Sequence, residues 1–190
     1  MKTAEEKETV AIYVGTYKNY NNGYLFGKWV NLDDYPTKED FFKKCQEIHN
    51  DEPPNELELM FQDWEGLPKG YITECHIVDE LWEFLDLKER ERDIVRAYQE
   101  NDSSITPIEE ILEDKYIGEY NSLEDYAAET GNDLHTYLVS VLIQGLVEYP
   151  QAKRAEKAEI LLNYFQFDKK GYANDLQHDS FFVHNGYLFQ

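Results

Sequence analysis

Cysteine is scarce in this sequence: Cys45 and Cys75, thirty positions apart, are all it has. They form no CxxC pair, and with the five histidines (His49, His76, His135, His178, His184) they form no quartet of zinc spacing. The N-terminal MKTAEEKETV is charged rather than apolar, so the expected compartment is a cytoplasm with reduced thiols. Long hydrophobic runs are missing too. The most apolar stretch, residues 134–147, carries His, Ser and Gln and is too short to span a bilayer. Phosphate-binding loops are absent, since Gly15, Gly23 and Gly27 fit neither GxGxxG nor the GxxxxGK pattern. No stretch has a twelve-residue calcium loop with Asp at its first position, Gly at the sixth and Glu at the last. His178, Asp179 and Ser180 are adjacent, whereas triad members converge from different segments. His135, on an apolar segment, reads as a core residue. The chain is therefore not expected to be an enzyme, and no catalytic residue, metal ligand or cofactor site is assigned.

Positive charge is the largest deficit. Asp and Glu number 39 against 18 Lys and Arg, a net charge of −21. Such a chain repels nucleic acid and anionic membranes, so neither is an expected partner, and it attracts basic surfaces. Aromatics are plentiful, with 15 Tyr and 10 Phe, which excludes a wholly disordered acidic chain. Tyr13, Tyr17, Tyr20, Tyr24 and Trp29 read as strand packing. Acidity alone also suits a merely soluble protein, so the placement of the charges has to decide.

The acids form two belts. Residues 46–87 hold twelve (Glu47, Asp51, Glu52, Glu56, Glu58, Asp63, Glu65, Glu74, Asp79, Glu80, Glu83, Asp86) against one base, Lys69. Residues 100–133 hold eleven (Glu100, Asp102, Glu109, Glu110, Glu113, Asp114, Glu119, Glu124, Asp125, Glu129, Asp133) against Lys115. The second belt has helix signals. Thr106, Pro107 and Glu109 occupy the N-cap, N1 and N3 positions of a capping box. Ile108, Ile111 and Leu112 come next as a buried stripe. Glu109 with Glu113 and Glu110 with Asp114 are like-charged i, i+4 pairs, each opposing the helix by roughly 0.2–0.5 kcal/mol. Ser122 and Asp125 start another helix, and Gly131 suits its end. Stability is given up to hold carboxylates on ordered surface.

Taken in order, residues 10–16 (VAIYVGT) and 24–32 (YLFGKWVNL) read as antiparallel strands around a loop at 17–23. Thr37 and Asp40 begin a helix with the stripe Phe41, Phe42, Cys45 and Ile48, ended by Pro53-Pro54. Residues 56–61 (ELELMF) read as a strand with Leu57, Leu59 and Phe61 inward and Glu56, Glu58 and Met60 wet. This makes an N-terminal ββαβ domain over 1–66. Gly66, Pro68 and Gly70 mark a boundary, and helices over 77–87 and 88–98 make a helical middle domain, 67–104. In the second of these helices Lys88, Arg90, Arg92 and Arg96 are expected to pair with Glu89, Glu91 and Asp93. A C-terminal α+β domain, 105–190, adds short extended structure at 116–120 and helices at 134–149 and 152–165. A short helix capped by Asp168 (167–176) and a hairpin about Asn185-Gly186 close it. The helix at 134–149 is too apolar to be buried by this segment alone, which places a dimer interface at Tyr137, Leu138, Val141 and Leu142.

The runs IYVGTYKNYNNGYLFGKWVNL (12–32), FQDWEGLP (61–68), IGEYNSLEDYAAE (117–129), NYFQFDKKGYANDL (163–176) and FFVHNGYLF (181–189) together resemble the ArdA-type antirestriction proteins. The resemblance keeps its order over nearly the whole chain, which departs in length over 144–161. It implies an elongated α+β protein of three small domains, with antiparallel sheets and packed helices, that forms a homodimer through its C-terminal region. It further implies a protein of mobile genetic elements, working in the cytoplasm of a bacterial host. The implied function is mimicry of B-form DNA that occupies the DNA-binding groove of type I restriction-modification enzymes, engaging their DNA-recognition and methyltransferase subunits. The charge fits: at one charge per about 1.7 Å, the excess matches roughly 36 Å of duplex. The expected mimicking carboxylates are Glu56, Glu58, Asp63, Glu65, Asp79, Glu80, Glu83, Asp86, Glu109, Glu110, Glu113, Asp114, Glu119, Glu124, Asp125 and Glu129. Charge alone would equally allow an acidic adaptor for another basic or DNA-binding protein.

Overall fold

The computed structural model describes residues 9–131 and 167–190. The chain divides into two compact units, Met1–Lys115 and Tyr116–Gln190. Each contains helices and a three-stranded antiparallel sheet, so the fold class is α+β, as the sequence suggests.

In unit 1 the apolar run Ala11–Thr16 forms β1, the central strand. It is flanked by β2 (Lys28–Asn31) and β3 (Leu59–Glu65). Between them lie α1 (Tyr17–Asn21), a 3-10 turn (Leu32–Asp34) and α2 (Lys38–Ile48). The Thr37 hydroxyl accepts the Asp40 N–H at 3.1 Å and starts α2. Phe41 and Cys45, one helical turn apart, are then buried with Ile12, Val14, Val30 and Phe61. The expected ββαβ order is present, with three local corrections. The segment at 17–23 is not all loop, because the Thr16 hydroxyl accepts the Asn19 N–H at 3.2 Å and caps α1. The strand at 24–32 is shorter, because the Tyr24 N–H donates to the Asn19 carbonyl at 2.9 Å and the chain closes α1 before joining the sheet. Tyr20 and Tyr24, expected as strand packing, are therefore off the sheet and exposed, whereas Trp29 lies on β2 against Tyr13 and is still 49% exposed. Finally, β3 begins three residues later than expected, and Met60 is buried, not wet. The register shifts opposite Tyr13 and Val14, which skips Gln62 and breaks strict alternation.

Beyond the positive-φ turns at Gly66 and Gly70, Ile72 bridges Ile77, and α3 (Glu80–Asp86) starts three residues after the predicted position. Leu81 and Phe84 are its buried residues. In α4 (Glu89–Asn101), Arg96 pairs with Glu89 at 2.9 Å and Asp93 at 2.8 Å, as expected. Arg92 does not pair within its helix. It is buried, reaches Asp33 of the 3-10 turn at 3.1 Å, donates to the Leu85 carbonyl, and lies 5.6 Å over the Phe84 ring. Glu91 instead accepts the Lys88 N–H at 2.9 Å.

The capping box at Thr106 does not form. Its hydroxyl donates to Asp102 at 2.9 Å, its N–H donates to Gln99 Oε1 at 3.3 Å, and Pro107 takes the N-cap. From Pro107 the chain makes a short α5 (Ile108–Glu110) that widens into a π turn, Ile111–Lys115, with Ile108 and Ile111 buried.

Unit 2 contains β4 (Tyr116–Glu119), α6 (residues 123–131), α7 (Lys169–His178), β5 (Phe182–His184) and β6 (Tyr187–Phe189), with sheet order β4-β6-β5. Ser122 accepts the Asp125 N–H at 3.1 Å, and Asp168 accepts the Gly171 N–H at 3.0 Å, the two expected caps. The hairpin turn places Asn185 at φ 50 and Gly186 at φ 84, as an Asn-Gly turn requires. Ala127, Ala173 and Leu176 are its buried cluster, with Tyr126, Tyr172 and Phe181 packed around them. Gly131 is used for close approach: a Cβ there would lie 1.9 Å from the Phe167 ring. The helices expected over 134–149 and 152–165, including His135, Tyr137, Leu138, Val141 and Leu142, lie outside the described residues.

Candidate functional site

The carboxylates singled out from the sequence are placed by the buried partners beside them. Glu56 and Glu58 precede β3, and Asp63 and Glu65 lie on it; all four are exposed. On α3, burial of Leu81 and Phe84 leaves Glu83 and Asp86 outward, with Asp79 exposed before the helix and Glu80 half-buried. Burial of Ile108 and Ile111 likewise turns Glu109, Glu113 and Asp114 to solvent, with Glu110 half-buried. Because α3 and α5 are in contact, the structure brings these last two sets into one neighbourhood of unit 1. In unit 2, Glu119 lies on β4, and Glu124, Asp125 and Glu129 lie on α6, all exposed.

Few of these charges are neutralised. Asp79 pairs with Lys38, and Glu110 with Lys115 at 3.4 Å. Among the described residues no ion pair joins Glu56, Glu58, Asp63, Glu65, Glu80, Glu83, Asp86, Glu109, Glu113, Asp114, Glu124, Asp125 or Glu129 to a base. Arg92 and Arg96 are committed to internal partners.

Burial and neighbouring charges shift four groups. The Lys38 hydrogen bond, then its charge, hold the Asp79 carboxyl below the usual carboxylate range. Burial, then the charges of Glu80 and Glu83, push the Tyr71 phenol up. Partial burial and Glu129 push up Tyr120; partial burial and Glu74 push up Tyr17. Among the described residues no cluster of His, Cys, Asp and Glu has the arrangement of a metal site, and no helix is long and apolar enough to cross a membrane.

Sequence reading missed the exposed aromatic group formed by Tyr20, Tyr24, Phe26, Trp29 and Trp64. The signal was present in NYNNGYLFGKW, where two glycines and three asparagines sit among the aromatics and mark a loop.

The chain matches the family described as antirestriction protein (ArdA) over residues 12–189. No curated protein is significantly similar to it in sequence. A family match of that extent implies antirestriction function through interaction with type I restriction enzymes, and a protein that inhibits rather than catalyses. With its α+β fold and a match spanning nearly its whole length, the chain belongs to the ArdA family of antirestriction proteins.

Proposed function

We propose that this protein inhibits type I restriction-modification enzymes as a mimic of B-form DNA, occupying the groove formed by their DNA-recognition and methyltransferase subunits in the bacterial cytoplasm. The observation that carries this reading is the state of the sixteen carboxylates. Fourteen are exposed, Glu80 and Glu110 are half-buried, and base pairing is confined to a small minority. Charges held on or beside helices and strands, rather than on a tail, offer a DNA-gripping surface the counterion release it obtains from phosphates. Backbone mimicry carries little sequence information, so one such protein suits enzymes of differing specificity. The reading includes a homodimer built through residues 134–147 and a finer division of the chain near residues 66 and 104. A monomer persisting at micromolar concentration in sedimentation equilibrium would remove the dimer.

The test is binding to a purified methyltransferase core across a salt series, with duplex DNA as competitor. A protein acid belt is less densely charged than DNA, so its affinity falls with log salt less steeply than that of DNA. The protein therefore gains on DNA as ionic strength rises. A flat salt dependence overturns the electrostatic mechanism. Simultaneous binding of duplex and protein overturns the shared groove and favours an acidic adaptor.

A further inference from the structure

The sheet of unit 1 has one buried face, where Phe61 meets Phe41 of α2, and one open face. Across the open face Trp29 of β2, Tyr13 of β1 and Asp63 of β3 stand in one cross-strand row. The Trp29 and Tyr13 rings meet edge to face, centroids 5.6 Å apart. Together with Tyr20, Leu25, Gln62 and Glu74 they line a groove of about 680 Å³; Trp64 touches its edge but pairs with the buried Ile12, so its side chain alternates to the other face. Its wall is fixed by the chain itself: the Tyr13 hydroxyl donates to the Leu25 carbonyl at 3.3 Å, and Gly27 passes so close that a Cβ would lie 2.6 Å from the Tyr13 ring.

Two properties define what fits. The first is unspent aromatic surface. Of the eight large hydrophobics exposed among the described residues, six fall at positions 20–29 and 64, and Trp29 is 49% and Trp64 40% exposed. Apolar surface concentrated in this way marks an interaction site. The second is charge. Asp63 and Glu74 line the groove and no Lys or Arg does. Asp63 is also oriented, its Oδ1 accepting the Trp64 N–H at 2.9 Å. Aromatic faces beside carboxylates repel phosphate and nucleic acid and attract an organic cation. A planar, weakly hydrated guanidinium stacks on such rings better than an ammonium does.

We propose that this groove is an arginine-binding pocket, in which Trp29, Tyr13 and Tyr20 hold a guanidinium from the basic face of a partner protein and Asp63 or Glu74 supplies its counter-charge. The proposal deepens the DNA-mimic reading and rests on it for the identity of the partner. A DNA groove-binding enzyme presents arginines that ordinarily meet phosphates. This pocket offers one of them an aromatic anchor that the DNA backbone lacks. Its contacts are short-range and partly desolvated, so salt screens them less than it screens the exposed carboxylates.

Two measurements on the full chain test it. In the first, affinity for a purified methyltransferase core is compared for the wild type, Trp29→Phe, and the double variant Tyr20→Ala/Trp29→Ala, at low and high salt. Hot-spot aromatics lose at least about tenfold on truncation. The double variant is expected to lose that much at both salts, and Trp29→Phe is expected to retain most of the binding. Unchanged affinity with duplex still competing overturns the pocket and leaves the mimic intact. A tenfold loss without competition by duplex overturns the mimic and leaves the pocket intact. In the second, indole N–H resonances of the wild type are followed as a short triple-arginine peptide is added, with a triple-lysine peptide of equal charge as control. Trp29 is expected to shift with arginine more than with lysine, while Trp82, outside the groove, stays still. Equal response to both peptides, no response, or shifts that track protein concentration alone, as a second copy in the groove would give, overturn the assignment.

Discussion

Arg92 gives the sharpest test of how unit 1 is held together. Its side chain is 4% exposed and that of Asp33 18%, and their 3.1 Å ion pair ties α4 to the turn after β2. The guanidinium Nε and Nη1 are buried without hydrogen-bond partners, so the cation depends on Asp33 and the Leu85 carbonyl. Removing one partner of a buried pair costs about 3–5 kcal/mol; the partial exposure of Asp33 sets Asp33→Ala near the lower limit, about 3 kcal/mol. Arg92→Met keeps much of the packing on Phe84 and takes the cation away. It loses the bond to Leu85, about 1 kcal/mol, and the cation–π contact, about 0.5–1 kcal/mol, while Asp33 hydrates at its exposed edge. It should therefore cost about 2 kcal/mol. With the stranded charge gone, the double variant should be about 1 kcal/mol more stable than Asp33→Ala alone, where simple addition would make it the least stable of the three. Urea unfolding followed by tryptophan fluorescence reads this directly, because Trp29, Trp64 and Trp82 all lie in unit 1. A double variant with additive losses, or Arg92→Met costing more than Asp33→Ala, would refute the argument.

Four further outcomes are expected. Burial pushes the Cys45 thiol up to about 12, while Cys75 is exposed, so a thiol reagent should modify one cysteine quickly in the native protein and two in denaturant; two fast reactions would contradict the core. Asp79 is held low by Lys38, and a depressed carboxylate lends stability above its unfolded pKa that disappears as pH falls through the folded one. Lys38→Met should therefore raise the Asp79 titration seen by carboxyl NMR, and any stability difference between the two proteins should shrink below about pH 4. Gly131→Ala drives a methyl into the Phe167 ring and should cost about 1–3 kcal/mol, read as lost amide protection in α6 and α7 with β1 to β3 unaffected. Asp125→Asn should leave inhibition nearly intact, since an exposed charge contact is worth about 0.2–1 kcal/mol; abolished inhibition by a folded variant would point to a focused site instead.

Local chemistry made much of the fold readable in advance. Thr37, Ser122 and Asp168 cap the helices they precede, and the Asn185-Gly186 turn takes the backbone angles its residues favour. The exposure of most carboxylates was equally legible, because acids without bases nearby resist burial; Glu52 is the exception, buried with its Oε1 accepting the Thr16 hydroxyl at 2.8 Å. The misreadings came from competition at a distance or from register. Thr106 has the right neighbours for a cap, but Asp102 takes its hydroxyl and Gln99 its N–H. Met60 lost its expected side because a shift opposite Tyr13 and Val14 breaks the two-residue period. Arg92 found its acid 59 positions away, which no window along a helix contains. The open aromatic face escaped notice because tyrosine and tryptophan on a strand ordinarily mean core.

The carboxylates that unit 1 leaves without bases act on the protein before any partner arrives. Crowded like charges repel, and that repulsion opposes the compact state. Dissolved ions relieve it, since charges more than about 10 Å apart are largely screened at 0.1 M salt. On the proposed electrostatic mechanism, dilute buffer acts in opposite directions on the two halves of the protein's task, strengthening its grip while loosening its fold. The buried residues of unit 1, Ile12, Phe41 and Phe84 among them, must outweigh that repulsion. The margin by which it does so sets the lowest ionic strength at which a folded inhibitor exists to be bound.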